Sequence, residues 1–304
     1  MITCFDIGGT AIKAATASGP ETLQTIGRVA TPLKDFHTFA DAIARLVEAG
    51  QAPAGTPVAI SITGVIDPAA GIATVANIPG IDGRNLALDL GEFLGRPVLV
   101  ANDADCFVLA EAHAGAGRGH RVVFGAILGT GVGGGIVVDG QLHRGAAGLA
   151  GEWGHGTIVA TQVSVPPFEL AHFPCGCGRM GCLDTVGGAR GIEKLHKILH
   201  GAELGSLEII DLWTAGDAAA AQTVDLYIEL VAQPLALVVN IVGPDIIPVG
   251  GGLGNSAPLI ARLDEAVRQR ILRKADRPLV VSAQLTVDAG LIGAANLGFS
   301  QGWL

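Results

Sequence analysis

The sequence predicts an α/β protein of two domains. Three observations predict it: 304 residues exceed what one compact core usually absorbs, short apolar strands alternate with segments of helical period, and a glycine-rich strand–turn–strand segment opens each half. Hydrophobic residues make up 49% of the chain and charged residues 15%, so there is ample apolar surface to bury and little sign of disorder.

Residues 1–6 alternate as a strand, turn at Gly8-Gly9 and return over residues 11–17, a hairpin built around glycines. Phe36, Phe39, Ile43, Leu46 and Val47 recur on one face of a helix, and residues 58–62 form a short buried strand after it. Residues 97–101 form a further strand, and Asn102 stands where an N-cap opens a helix reaching about Ala114. Residues 115–119 read as a flexible connection. Residues 122–128, 129–135 and 136–139 then repeat strand, glycine turn and strand, which suggests a duplicated domain plan. Helices over 218–241 and 258–273, a strand at 246–249 and a last helix near 289–297 complete the pattern. The expected domains are residues 1–115, smaller and completed by the C-terminal helix 289–304, and residues 116–288.

Asp6-Ile7-Gly8-Gly9-Thr10 is the first chemical candidate. Glycines let backbone N–H groups approach phosphate oxygens, Thr10 adds a hydroxyl, and Asp6 can orient hydrated Mg²⁺; an ordinary hairpin turn accounts for the same residues. In Leu128-Gly129-Thr130-Gly131-Val132-Gly133-Gly134-Gly135, five glycines exceed what a tight hairpin requires, and a ligand is the better explanation. Neither hairpin has Gly-Lys-Ser/Thr opening a helix or the order strand, glycines, helix, which sets aside the Walker and Rossmann classes. Gly250-Gly251-Gly252 follows an apolar strand and precedes a helix, as a nucleotide-facing turn or simply a βα turn. The three clusters together favour a nucleotide.

Phosphoryl transfer to an alcohol needs a carboxylate that orients the hydroxyl and takes its proton, and Asp103 in the pair Asn102-Asp103 can do so; a helix-capping doublet is the local alternative. Glu152-Trp153-Gly154-His155 puts two polar side chains three residues apart beside a glycine-rich approach. Cys175, Cys177 and Cys182 lie within eight residues, and with His155 as fourth ligand they can wrap one tetrahedral Zn²⁺, buried unmetallated thiols being the alternative. Such a closed site is structural: it fixes the His155 ring and leaves the second nitrogen to meet a substrate hydroxyl.

A formal net charge of -9 argues against a broad nucleic-acid or anionic membrane surface. The first residues show no basic segment followed by an apolar run, the apolar stretch 235–242 is too short to span a bilayer, and five cysteines make no disulfide framework. A cytoplasmic enzyme is expected.

With these pieces in order, the chain resembles the ROK family of sugar kinases and sugar-responsive regulators across essentially its whole length. The resemblance rests on residues 6–10, Asn102-Asp103, 128–135, 152–155, 175–182 and 249–253. It implies an actin-like (ribonuclease H-like) two-domain ATPase fold with an interdomain cleft where sugar and ATP meet, with Mg²⁺ accompanying ATP, and a homodimer as is usual for relatives. It implies that Asp103 takes the proton of the sugar 6-hydroxyl, that Asn102, Asp103, Glu152 and His155 contact sugar hydroxyls, and that His155, Cys175, Cys177 and Cys182 bind structural zinc. Ser61, Gly64 and Asn77 fall where sugar-contacting loops lie. Gly8, Gly9, Thr10, Gly129, Thr130, Gly131, Gly133 and Gly250 to Gly252, with Asp6, fall to the nucleotide.

The 20-residue interval from His155 to Cys175, carrying Val163, Val165, Phe168, Leu170 and Phe173, resembles the branch acting on N-acetylglucosamine, where an apolar wall accepts the acetamido methyl; glucose, N-acetylmannosamine and fructose are the alternatives. Asp184 stands where the family commonly has Glu, one methylene shorter, so its contact to the anomeric side of the sugar is expected to be longer or bridged by water. Ala11 replaces the usual Lys or Asn, with Lys13 on the same strand face. A repressor of the same family would need a helix-turn-helix and a basic surface, whereas Asp6 already lies in the first hairpin. A silent sugar-binding module would be expected to lose Asp103 or a glycine cluster.

Overall fold

The computed structural model describes residues 1–163 and 168–300, and the alternation of strands and helices is that of an α/β protein. Its contacts divide it into two compact units: Met1–Gly119 with Gly135–Ala150 and the chain from Leu285, and His120–Gly134 with Gly151–Gln284.

In the first unit, β1 (Ile2–Ile7), β2 (Ala11–Gly19) and β3 (Thr22–Ala30) form an antiparallel meander, followed by α1 (Phe36–Ala49), β4 (Val58–Ile62), α2 (Leu86–Leu94), β5 (Val98–Asn102) and α3 (Asp103–Ala114). The sheet order is β3-β2-β1-β4-β5, with β1, β4 and β5 parallel. Both faces are buried, as parallel strands require. Phe5 and Ile7 join one core with Phe39, Ile43 and Leu86, while Ile2 and Cys4 join the other with Leu291, Ala294 and Ala295 of the C-terminal helix. The face of α1 expected from the sequence is the buried one, and Asp35 opens the helix by accepting from the His37 and Thr38 N–H groups at 3.0 and 3.1 Å.

The second sheet repeats the plan. The strands β6 (Val122–Leu128), β7 (Val132–Val138) and β8 (Gln141–Leu142) precede α4 (Ala189–His200), α5 (Ser206–Thr214), α6 (Ala218–Val242), β9 (Ile247–Gly250), α7 (Ala257–Arg268), β10 (Val280–Ser282) and α8 (Ala289–Ser300). The order β8-β7-β6-β9-β10 reproduces the first sheet position for position, with β6, β9 and β10 parallel. The duplication suggested by two glycine hairpins is therefore carried by five strands each. α6 is long and apolar enough to cross a membrane, but most of that window is buried, with Tyr227, Val231 and Leu235 recurring along its covered face.

Two local expectations change. The helix expected over 258–273 ends at Arg268, because the next turns offer the core nothing: Leu272 is 93% exposed. The connection at 115–119 is fastened rather than loose. The buried Glu111 carboxylate accepts from the Ala116 N–H at 2.8 Å, and the Gly115 and Gly117 N–H groups donate to the Glu111 carbonyl.

Candidate active site

The parallel register of the first sheet brings the sequence candidates to one edge. Asp6 pairs with Ser61 and Ser61 with Ala101, so the carboxyl ends of β1, β4 and β5 deliver Asp6, Ser61 and Asn102-Asp103 side by side. That edge is where open α/β sheets hold ligands. The Ser61 hydroxyl, buried, lies 3.4 Å from Asp6 Oδ1. Burial pushes the Asp6 carboxyl above its ordinary range, and Lys13, 3.9 Å away, pulls it back. Lys13 also reaches Asp288 at 3.4 Å.

The turn after β1 is pinned by Gly8 N–H to the Ala11 carbonyl and by the Thr31 hydroxyl to the Gly8 carbonyl at 2.6 Å. A Cβ on Gly9 would stand 3.1 Å from Asn77 Nδ2, so that turn and the Asn77 loop meet. Gly64 has φ +104° and leaves no space for a Cβ against the Thr74 carbonyl. Asn102 caps α3, its Oδ1 accepting from the Asp105 N–H at 2.6 Å, which leaves the capping role to Asn102. Asp103 is exposed on the first turn, with Oδ1 accepting from the Ala104 N–H at 2.9 Å.

In the second unit, a ring nitrogen of His155 and the Sγ atoms of Cys175, Cys177 and Cys182 all lie within 4.8 Å of one another. A tetrahedral Zn²⁺ with bonds of about 2.3 Å to sulfur sets ligand-to-ligand edges of roughly 3.8 Å. Cys177 and Cys182 are 3.6 Å apart, as are Cys175 Sγ and His155 Nδ1, so the donor set fits that ion. All three cysteines are free thiols. The Arg179 backbone N–H draws the Cys177 thiol down to about 6, while burial pushes Cys175 up to about 12. The other ring nitrogen, Nε2, lies 3.7 Å from Glu152 Oε2, longer than a hydrogen bond, so an incoming hydroxyl can be shared between the two. Burial raises the Glu152 carboxyl, and His155 opposes the shift.

The glycines of 129–135 have internal reasons that sequence counting missed. None has a positive φ. A Cβ on Gly131 would fall 2.2 Å from Asp184 Oδ1, one on Gly134 would strike the Trp153 ring, and one on Gly135 would strike Val108. Gly129 meets only Ile127 at 3.7 Å and keeps its open approach. Gly251, at φ +83°, would put a Cβ 2.5 Å from Leu128 and Gly129, so two of the three glycine clusters meet.

Trp153, between Glu152 and His155, has no role assigned from the sequence. Its Nε1–H donates to the Gly133 carbonyl at 2.7 Å and its ring stands edge-on to Phe124, a function signalled only by a large aromatic between two polar residues. Val163 and Leu170 are 2% and 3% exposed, so these parts of the expected apolar wall have almost no surface for a sugar. Phe173 lies under the Lys194 ammonium, while Val165 and the Phe168 side chain lie outside the described residues.

The ROK family model matches residues 2–300. The N-acetyl-D-glucosamine kinase of Pasteurella multocida is 38% identical, covering 98% of this chain and 99% of that one. Among solved structures, the ROK hexokinase from Thermus thermophilus superposes with a TM-score of 0.85 at 30% identity, over 99% of this chain and 98% of that one. A ROK family glucokinase from Streptomyces griseus, in complex with glucose and AMPPNP, gives 0.75 at 27% identity, over 97% and 98%. The fold is the actin-like ATPase fold, as expected.

Proposed function

Since the chain belongs to the ROK family, we propose that it is an ATP-dependent kinase transferring the γ-phosphoryl group to the 6-hydroxyl of N-acetyl-D-glucosamine. The observation that carries the kinase reading is the alignment of Asp6, Ser61 and Asn102-Asp103 at the ends of three adjacent parallel strands. The near-full-length relatives carry the choice of sugar, in place of the loop interval, where Val163 and Leu170 are buried.

Asp103 accepts the proton of the 6-hydroxyl as its oxygen bonds to phosphorus, and the bridging oxygen leaves with ADP. Ser61, Gly64, Asn77, Asn102, Asp103, Glu152, His155 and Asp184 contact the sugar. The backbone N–H groups and hydroxyls of Gly8, Gly9, Thr10, Gly129, Thr130, Gly131 and Gly133 serve the phosphates, and Gly250 to Gly252 serve the nucleotide. Asp6 would orient hydrated Mg²⁺ accompanying ATP, which would supply neutralisation of phosphate charge. His155, Cys175, Cys177 and Cys182 would hold Zn²⁺, which would fix the His155 ring. The domain assignment 1–115 with 289–304, and 116–288, a cytoplasmic location and a homodimer belong to the same reading. A coupled ADP-release assay across N-acetylglucosamine, N-acetylmannosamine, glucose, mannose and fructose tests it. The highest kcat/KM is expected for N-acetylglucosamine, and no sugar-dependent ADP release would sink it.

A further inference from the structure

We propose that Asp184 has a second function: it is a positioning residue that ties the glycine-rich hairpin 129–135 to the zinc module and so presets the hairpin for nucleotide. The inference rests on the reading of that hairpin as nucleotide-binding.

Asp184 sits two residues after Cys182 in the short turn Leu183–Thr185, and its own N–H donates to the Gly154 carbonyl at 2.9 Å, beside His155. Its carboxylate bridges outward. Oδ1 accepts from the Val132 N–H at 2.8 Å, in the middle of the hairpin, while Oδ2 stands 3.7 Å from Cys175 Sγ. The hairpin is shaped for that contact, since a side chain on Gly131 would occupy the Oδ1 position. One residue along, Trp153 Nε1–H donates to the Gly133 carbonyl at 2.7 Å. A third tie runs from the Ala189 N–H to the Gly129 carbonyl at 2.7 Å. Consecutive hairpin residues are thus gripped by side chains that flank the metal ligands on both sides, Trp153 two before His155 and Asp184 two after Cys182. A carboxylate accepting from a backbone N–H is the stronger class of hydrogen bond. It costs the hairpin its freedom before the ligand arrives, which is preorganisation. The shorter Asp is what lets the carboxylate engage Val132, where Glu would place its oxygens one methylene further on.

The test is AMPPNP binding by calorimetry without sugar, with zinc content measured on each protein. Asp184→Ala is expected to raise the AMPPNP Kd about tenfold while keeping one zinc per chain, the scale of one charge-assisted hydrogen bond. Asp184→Asn, whose amide oxygen still accepts from Val132, should stay within about twofold, and Trp153→Phe should weaken AMPPNP several-fold. An Asp184→Ala protein with unchanged AMPPNP Kd and only a raised sugar KM would overturn the proposal, as would loss of zinc. Failure of the unmutated chain to bind AMPPNP would instead overturn the nucleotide reading beneath it.

Discussion

Replacing Asp103 by Asn separates the two roles open to this residue, base or helix cap. The structure assigns the cap to its neighbour, since Asn102 Oδ1 accepts from the Asp105 N–H at 2.6 Å. Asp103 Oδ1 accepts from the adjacent Ala104 N–H at 2.9 Å, and an amide oxygen can do the same. The substitution removes a negative charge at the positive end of α3, worth about 0.3–1 kcal/mol and reduced by salt at this exposed position. Losing a general base removes about 10²–10⁴ of rate, or roughly 2.7–5.5 kcal/mol of barrier. The two magnitudes do not overlap. A coupled ADP-release assay should show kcat down at least a hundredfold, with sugar affinity largely kept and Tm within a few degrees. Asn102→Ala should instead cost about 1 kcal/mol of stability as the true cap. A kcat for Asp103→Asn within threefold of the unmutated value would refute the assignment of the base.

Cys177→Ser should release zinc, measured as metal per chain, and weaken sugar affinity because the His155 ring is no longer fixed; unchanged metal content would contradict the ligand set. Glu111→Gln should destabilise the fold by about 1–3 kcal/mol in urea unfolding, since the buried carboxylate accepts from both the Ala116 and Leu285 N–H groups and an amide turns a donor toward one of them. A loss below about 0.5 kcal/mol would argue against that pairing. Asp35→Asn tests a pH term. Hydrogen bonds from Thr38 and His37 hold the Asp35 carboxyl below its ordinary range, so its stabilisation is present above that range and is lost as pH falls through the folded value. Asn caps without titrating, so the two proteins should melt alike at pH 7 and the unmutated one should fall behind in acid. Parallel melting curves at every pH would count against it.

The sequence by itself determined what depends on near neighbours in the chain. The face of α1, the Asn102 cap, the two glycine hairpins and the spacing of Cys175, Cys177 and Cys182 are local chemistry, and each stands in the structure as read. The edge strand β3, mostly exposed and without clean alternation, gave no periodic signal, and α2 is short with Gly91 inside it. Only the tertiary structure decided what the glycines of 129–135 are for. Gly131 and Gly134 make room for Asp184 and Trp153, residues 53 and 19 positions along the chain, and no local pattern encodes a contact across such a separation. The same holds for Glu111, which reads as one more polar residue at the end of α3 until Leu285 closes on it. Short-range hydrogen-bond and turn chemistry is written in consecutive residues, whereas the purpose of a missing side chain is written in whatever folds against it.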